Sequence, residues 1–462
     1  MSKETVKQYI RNQYTGKEQC QFLPQMNQQD SLVQPSLEKL TQFFHEKLSG
    51  PMTKLANQRH LRAVRDGIVA TLPLIIVGSF FLIVANPPLP QDWGITQFLS
   101  ANAGKIVLPY RMTMYIMTLY AIFGIGSSLA QSYKLDGLSG GILAEIAYML
   151  TIMPVNVPAD AEAGIAGWTI PMAKLGSAGL FAGIIAAFIA VEIYHLFDSR
   201  GWMIKMPDAV PPAVARSFEK LFPTAAVILL FGSITYWFGF DWHGLVGTLV
   251  APLVSASDGL GSVLLIVFLT CFFWVFGIHG ASIVGSLERP IWLILLEQNT
   301  AALAAGEAMP NIAPEPFYQW FIWIGGAGAT IGLAILMAFF AKSHYAKDLG
   351  KTAFLPACFN INEPIIFGAP IVLNPTLMIP FCIAPIVNAI VAYVATAIGR
   401  VSRVSVNAPW TFPGPIGAYL ACGGDWRAFV LNVVLIVLSV VIYYPFFRMW
   451  DGQLIKEEEG NH

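Results

Sequence analysis

Two stretches of this chain carry no charge for about 20 residues each, Gly67–Asn86 (GIVATLPLIIVGSFFLIVAN) and Ala428–Phe447 (AFVLNVVLIVLSVVIYYPFF). That is the length needed to cross a hydrocarbon core about 30 Å thick. Apolar residues make up 55% of the 462 and charged residues only 12%, where soluble domains run near a quarter charged. The mean hydropathy is +0.60. An apolar excess arranged in blocks of this length reads as membrane spans rather than as a larger soluble core. The fold expected is an all-α polytopic membrane protein with about ten transmembrane helices.

Charge placement orients it. Lys54, Arg59, Arg62 and Arg65 immediately precede the first apolar run, and further basic groups lie at Arg200–Lys220 and Lys342–Lys351. The loops at 87–97 and 154–176 are almost without Lys or Arg. By the positive-inside bias, both termini are expected in the cytoplasm. Residues 1–50 lack the apolar core of a signal peptide, so none is expected. Cys20, Cys271, Cys358, Cys382 and Cys422 have no CxxC spacing, which reads as reduced packing thiols rather than disulfides or metal ligands.

Four parts follow along the chain. Residues 1–50 form a polar, Gln-rich segment ending in SLEKLTQFFHEKLSGP, where Leu37, Leu40, Phe44 and Leu48 share one helical face. This helix lies along the cytoplasmic interface or packs on the protein. Residues 51–240 make a first transmembrane half with spans near 67–86, 112–133, 138–155, 177–197 and 223–240. Glycines such as Gly124, Gly126, Gly140, Gly141 and Gly183 allow close helix approach there. Pro211-Pro212 breaks the chain in the basic loop that follows the fourth span. Residues 241–450 make a second half with clean spans near 261–277, 318–341, 376–399 and 427–447, and 451–462 form a cytoplasmic tail.

The second half also holds three apolar stretches interrupted by Gly and Pro: GIHGASIVGSLERPIWLILLEQN, TAFLPACFNINEPIIFGAP and VNAPWTFPGPIGAYLACGG. Such segments are tolerated at membrane depth only where protein buries them or water reaches them. They are where transporters place binding sites.

Glu363 is the only formal charge in FNINEPIIFGAPIVLNP. An acidic side chain at the bilayer centre costs about 2.5–3.5 kcal/mol on insertion scales, so it faces a cavity or a partner. Asn360 and Asn362 just before it bring carboxamides, and a carboxylate beside carboxamides suits the reading of vicinal hydroxyls. The plain alternative is an acid paired to Arg289 or Arg400 for stability. His279, between two glycines at the end of an apolar run, is the second site residue. Trp410 and Trp274 are the aromatics expected to cover the apolar face of a sugar ring. Glu145 and Glu192 read as helix-pairing or interfacial acids before proton-relay groups.

The motifs not found bound the function as well. Position 345 is Tyr, so Lys351-Thr352 closes no Walker A loop and no ATP-driven pump is implied. No HExxH or His/Cys cluster calls for a metal, no cofactor motif is present, and no basic patch with interleaved aromatics points to nucleic acid.

The segment NQRHLRAVRDGIVATLPLIIVGSFFLIVANPP, the GIHG around His279 and FNINEPIIFGAPIVLNP together resemble a family. It is the enzyme IIC permeases of the lactose/cellobiose/N,N'-diacetylchitobiose group, in the bacterial phosphoenolpyruvate-dependent sugar phosphotransferase system. The likeness runs through residues 50–450 in order, and only the polar segment before residue 36 is longer than the pattern. It implies a homodimer in the cytoplasmic membrane, joined through its N-terminal half. The C-terminal half would then carry a disaccharide in two re-entrant hairpins. His279 and Glu363 fall where the family holds the sugar, with Asn362, Trp274 and Trp410 beside them. It also implies a phosphorylated enzyme IIB partner, expected on a separate chain because this one ends at KEEEGNH. The rival readings are an ion-coupled sugar symporter, and a sugar-binding receptor that transports nothing.

Overall fold

The computed structural model describes residues 58–460 apart from 86, 88–91, 159–166, 205–217, 277–278, 370, 372–374 and 411. The expectations for 1–50, and for Lys205 and Arg216, lie outside these residues. The first apolar run folds as helix α1, Arg59–Ala85, with Pro73 inside it. Helices α2 (Met117–Ser132), α3 (Gly137–Met149) and α4 (Leu180–Ser199) follow. A two-stranded antiparallel ribbon, β1 (Val155–Val157) with β2 (Gly167–Thr169), sits between α3 and α4. The glycines do what small residues do in lipid-facing bundles. A Cβ on Gly126 would collide with Ala144 and the Gly140 carbonyl, and one on Gly140 would strike Ala130, so α2 and α3 approach backbone to backbone.

Asp136 caps α3. Its carboxylate accepts the Ser139 backbone N–H at 3.1 Å and lies 2.6 Å from Lys220 Nζ. Lys220 chiefly, with Ser139, pulls its pKa from 3.8 down to about 2. A carboxylate with a depressed native pKa stabilises the fold above its unfolded value, and that contribution disappears as pH falls through the native value. Asp136→Ala should therefore cost about 1 kcal/mol at neutral pH. The melting temperatures of variant and wild type should converge between pH 4 and 2; an undiminished gap there would mean the cap carries no charge-dependent stability.

Beyond α4 the order is α5 (Leu221–Gly232), α6 (Trp242–Ser257), α7 (Leu260–Val275), α8 (Gly280–Ala305) and α9 (Ile331–Phe340). Then come α10 (His344–Cys358), α11 (Glu363–Gly368), α12 (Pro375–Ala397), α13 (Gly414–Ala421) and α14 (Trp426–Gly460). Several departures from the sequence reading occur here. Helix α6 was not anticipated: α5 continues as a π-helical turn to Trp237, and the chain then bends by 87° into α6. The GIHG stretch is not broken after His279, since α8 runs unbroken through Pro290. The span expected at 318–341 is interrupted instead. A π-helical turn, Tyr318–Ile322, gives way to the loop Trp323–Thr330 before α9 starts.

That loop reads WIGGAGAT. Gly325, Gly326 and Gly328 take φ of 77°, 98° and 84°, which glycine adopts without strain. Hydropathy does not register such a break. Among the described residues, four helical stretches are long and apolar enough to cross a bilayer, or five if the bent pair counts as one span.

Two hydrophobic clusters organise the interior. One is built from residues between Ala63 and Phe231 with Leu293 and Leu296, the other from residues between Val263 and Trp450. Helix α8 serves both, with Leu293 and Leu296 turned to the first and Ile291, Trp292 and Leu295 to the second. Its buried Glu297, an acid the sequence reading passed over in WLILLEQN, accepts the Ser177 backbone N–H just before α4.

Helix α14 is about 50 Å long at 1.5 Å per residue, more than a bilayer core needs. Its surplus end grips α10: Asp451 accepts the Lys342 and Ser343 N–H groups, and Glu458 those of His344 and Tyr345. The expected tail is thus a helical extension that caps another helix. Cys271, Cys358, Cys382 and Cys422 are free thiols.

Candidate functional site

The site starts where α10 stops. Asn360 N–H donates to the Ala357 carbonyl at 3.0 Å and Ile361 N–H to the Pro356 carbonyl at 3.0 Å, with Asn360 at φ 62°. This is a Schellman-type stop with asparagine in the left-handed position, the residue after glycine best suited to it. Asn362 then takes the position before α11, its carbonyl accepting the Ile365 and Ile366 N–H groups at 2.9 Å. Glu363 begins α11, where the exposed N–H dipoles favour a carboxylate, and Pro364 follows at a position that needs no donor. The N-E-P triplet is thus a short, local instruction for a turn that presents an acid.

Asn360 ties three segments together. Its Oδ1 accepts Gly325 N–H at 2.9 Å, and its Nδ2 donates to the carbonyls of Trp410 and Phe412 at 2.7 and 3.1 Å. Asn362 Nδ2 donates to the Ala327 carbonyl at 2.7 Å, and the residue is only 5% exposed. Both carboxamides therefore hold the WIGGAGAT loop and the stretch before α13 around Glu363. The sequence reading had them facing a ligand. Trp410 is brought to the same place, with its carbonyl held by Asn360 and the residue 49% exposed.

His279 comes from the other side. Its carbonyl accepts Ile283 N–H at 3.4 Å in the first turn of α8. The next residue must be small, because a Cβ on Gly280 would collide with the Thr270 carbonyl of α7. The His279 ring lies 4.4 Å from that of Trp274, tilted by 47°. Trp274 is 4% exposed, so it backs the imidazole and offers no free face here. Glu363 is close enough for its charge to act on His279.

Glu363 is partly buried. Arg289 pairs with Glu315 at 3.0 Å, and among the described residues neither it nor Arg400 forms an ion pair with Glu363. The stabilising-pair alternative is thereby removed. Glu192 also has its explanation, since it pairs with His60 at 2.9 Å. Two features of the surroundings were not read from the sequence. One is the Gly325–Gly328 loop, for which the G-G-A-G string was the available signal. The other is the aromatic group Trp292, Tyr318 and Trp323, with ring centroids 4.8–6.0 Å apart, in which Trp292 comes from α8 and is distant in sequence from the other two.

A carboxylate without a Lys or Arg partner among the described residues and an imidazole can accept hydroxyl hydrogens and move a proton between them, and the half-exposed Trp410 offers an apolar face. Residues 65–385 match the family described as Phosphotransferase system, EIIC. The chain belongs to that EIIC family.

Relatives extend the match well past residue 385. The lichenan permease IIC component of Bacillus subtilis (strain 168) is 41% identical over 437 residues, covering 91% of this chain and 96% of that protein. The cellobiose-specific EIIC component of Geobacillus stearothermophilus is 39% identical over 441 residues, covering 92% and 97%. In three dimensions this EIIC chain superposes on the transporter ChbC with a TM-score of 0.84 at 38% identity. ChbC is the IIC component of an N,N'-diacetylchitobiose-specific phosphotransferase system, and 90% of this chain and 99% of that one are covered.

Proposed function

We propose that this EIIC permease carries a disaccharide of the cellobiose or N,N'-diacetylchitobiose class across the membrane. There it would present the sugar to a phosphorylated EIIB subunit. The observation that carries the reading is Glu363, which begins α11 and, among the described residues, forms no ion pair with a Lys or Arg. Glu363 holds the attacking hydroxyl and takes its proton as general base. His279, backed by Trp274, shares that hydroxyl network. Asn360 and Asn362 fix the turn and keep their remaining lone pairs for the sugar, while Trp410 covers an apolar ring face.

Phosphoryl transfer is mostly in-line positioning of donor and acceptor. The donor is a cysteine of EIIB on a separate subunit. The relatives matched nearly end to end are named as IIC components alone, which supports that arrangement. The phosphorylated product, with about −1.5 to −2 charges, is repelled by Glu363 and retained inside. The larger frame is a homodimer joined through residues 51–240. Residues 241–450 would move the sugar on two re-entrant hairpins, one at His279 and one at Glu363. About ten crossings would leave both termini cytoplasmic.

The test is uptake of labelled cellobiose, diacetylchitobiose and lactose into vesicles, with and without phosphorylated EIIB. Internal phosphosugar that appears only with EIIB supports the reading, and the preferred sugar names the class. Free sugar accumulating on a proton or sodium gradient without EIIB would overturn it in favour of symport.

A further inference from the structure

A cavity of ≈ 560 Å³ opens at the start of α1, just before the first apolar run, lined by Gln58, Arg59, His60, Arg62, Ser132 and Tyr133. Its walls are held in place. Gln58 Oε1 accepts the Leu61 N–H at 2.8 Å, closing the first turn of α1, and its Nε2 lies 2.9 Å from His60 Nδ1. His60 Nε2 lies 2.9 Å from Glu192 Oε1, the oxygen that also accepts the Tyr133 hydroxyl. His195 stacks on the Tyr133 ring at 3.9 Å, and the Arg59 guanidinium lies 4.2 Å from the centre of that ring.

The charges do not balance inside this frame. Glu192 is engaged by His60 and Tyr133, so the aromatic face of Tyr133 stands where an acid would neutralise Arg59. Among the described residues Arg59 forms no ion pair. Arg62, on the same helix face, reaches Asp66 only at 4.0 Å, while Asp66 is held by Arg65 at 3.0 Å and by Ser128 at 3.2 Å. No carboxylate is among the described lining residues. Two under-neutralised guanidinium groups at i and i+3 thus face one open space.

We propose that this cavity binds a phosphate group, presented by the headgroup of an anionic phospholipid or as a free phosphate anion. Guanidinium forks match phosphate oxygens in geometry and charge. The cavity stands where the first apolar run begins, the depth of the headgroups, and on the face that the basic residues assign to the cytoplasm, whose leaflet carries the anionic lipids. A cation resting on an aromatic face can be engaged by an anion without first breaking an ion pair.

The full chain would be reconstituted in discs of phosphatidylcholine, with and without phosphatidylglycerol. Retained lipid would be counted by native mass spectrometry and the melting temperature followed. Wild type should keep phosphatidylglycerol and melt higher with it. Arg59→Gln combined with Arg62→Gln should weaken retention at least about tenfold. Arg59→Lys should keep part of it, and Arg111→Gln, outside the cavity, should leave it unchanged.

In a second arm, inorganic phosphate is titrated into phosphatidylcholine discs. A rise in melting temperature there, lost in the double variant and unaccompanied by lipid retention, assigns the site to free phosphate. Wild type that responds to neither probe overturns the proposal even if the variants fail to fold, as does a double variant that responds like wild type.

Discussion

Glu363→Gln should lower phosphorylation-coupled sugar uptake by about 10²–10⁴-fold, the range in which a general base acts. Glutamine keeps the size of the side chain and much of its hydrogen-bonding capacity but cannot take the proton. Sugar binding, measured separately on the purified protein, should weaken far less than turnover. Stability sharpens the test. Among the described residues Glu363 forms no ion pair and it is only partly buried, so neutralising it forfeits no salt bridge, and only the favourable start of α11 is weakened. The melting temperature of the variant should stay close to that of the wild type, the loss being about 1 kcal/mol at most. A variant that loses uptake and stability together would show Glu363 to be structural, and one that keeps turnover would remove it from the chemistry.

Gly326→Ala should be nearly as damaging, by another route. Gly326 has φ 98°, and a Cβ there would lie 2.7 Å from both Nδ2 and Oδ1 of Asn362. The carboxamide would have to leave the Ala327 carbonyl, which it meets at 2.7 Å, and Asn362 precedes Glu363 directly. Overpacking of about 1–3 kcal/mol adds to a backbone cost of about 1–2 kcal/mol. Gly306→Ala supplies the comparison: its φ is 72°, but nothing lies within 4 Å of the added carbon, so only the backbone cost applies. Thermal unfolding and uptake of the two variants separate the contributions. If Gly326→Ala is as stable and as active as Gly306→Ala, the loop does not hold Glu363 in place.

Part of this site was readable because its signals are local. An asparagine able to take the left-handed position, a carboxylate at a helix start and a proline after it occupy neighbouring positions, and the turn at 359–364 forms as that order requires. The Asn360 and Asn362 side chains were harder, because their partners at Gly325, Ala327 and Trp410 are 35 and 50 residues away. A carboxamide looks the same in sequence whether it awaits a hydroxyl or a backbone carbonyl. Trp274 was read as a sugar-stacking face, but its burial behind His279 depends on how α7 and α8 meet. The expected span at 318–341 failed because hydropathy averages over GGAGAT, where the decisive quantities are φ angles and the closeness of Asn362 and Phe381.

By itself, then, the sequence determined the solvent, the helical class and the family, and it singled out Glu363 and His279 as the acid and the imidazole to be tested. Transfer energies, caps and turns act within a few residues, and the motif string lies on one stretch of chain. Only the tertiary structure decided which charges stay without a partner. Arg289 goes to Glu315 and Glu192 to His60, while among the described residues Glu363 keeps no ion pair. The Coulomb and desolvation energies that select those pairs depend on distances between helices, and no spacing along the chain encodes those distances.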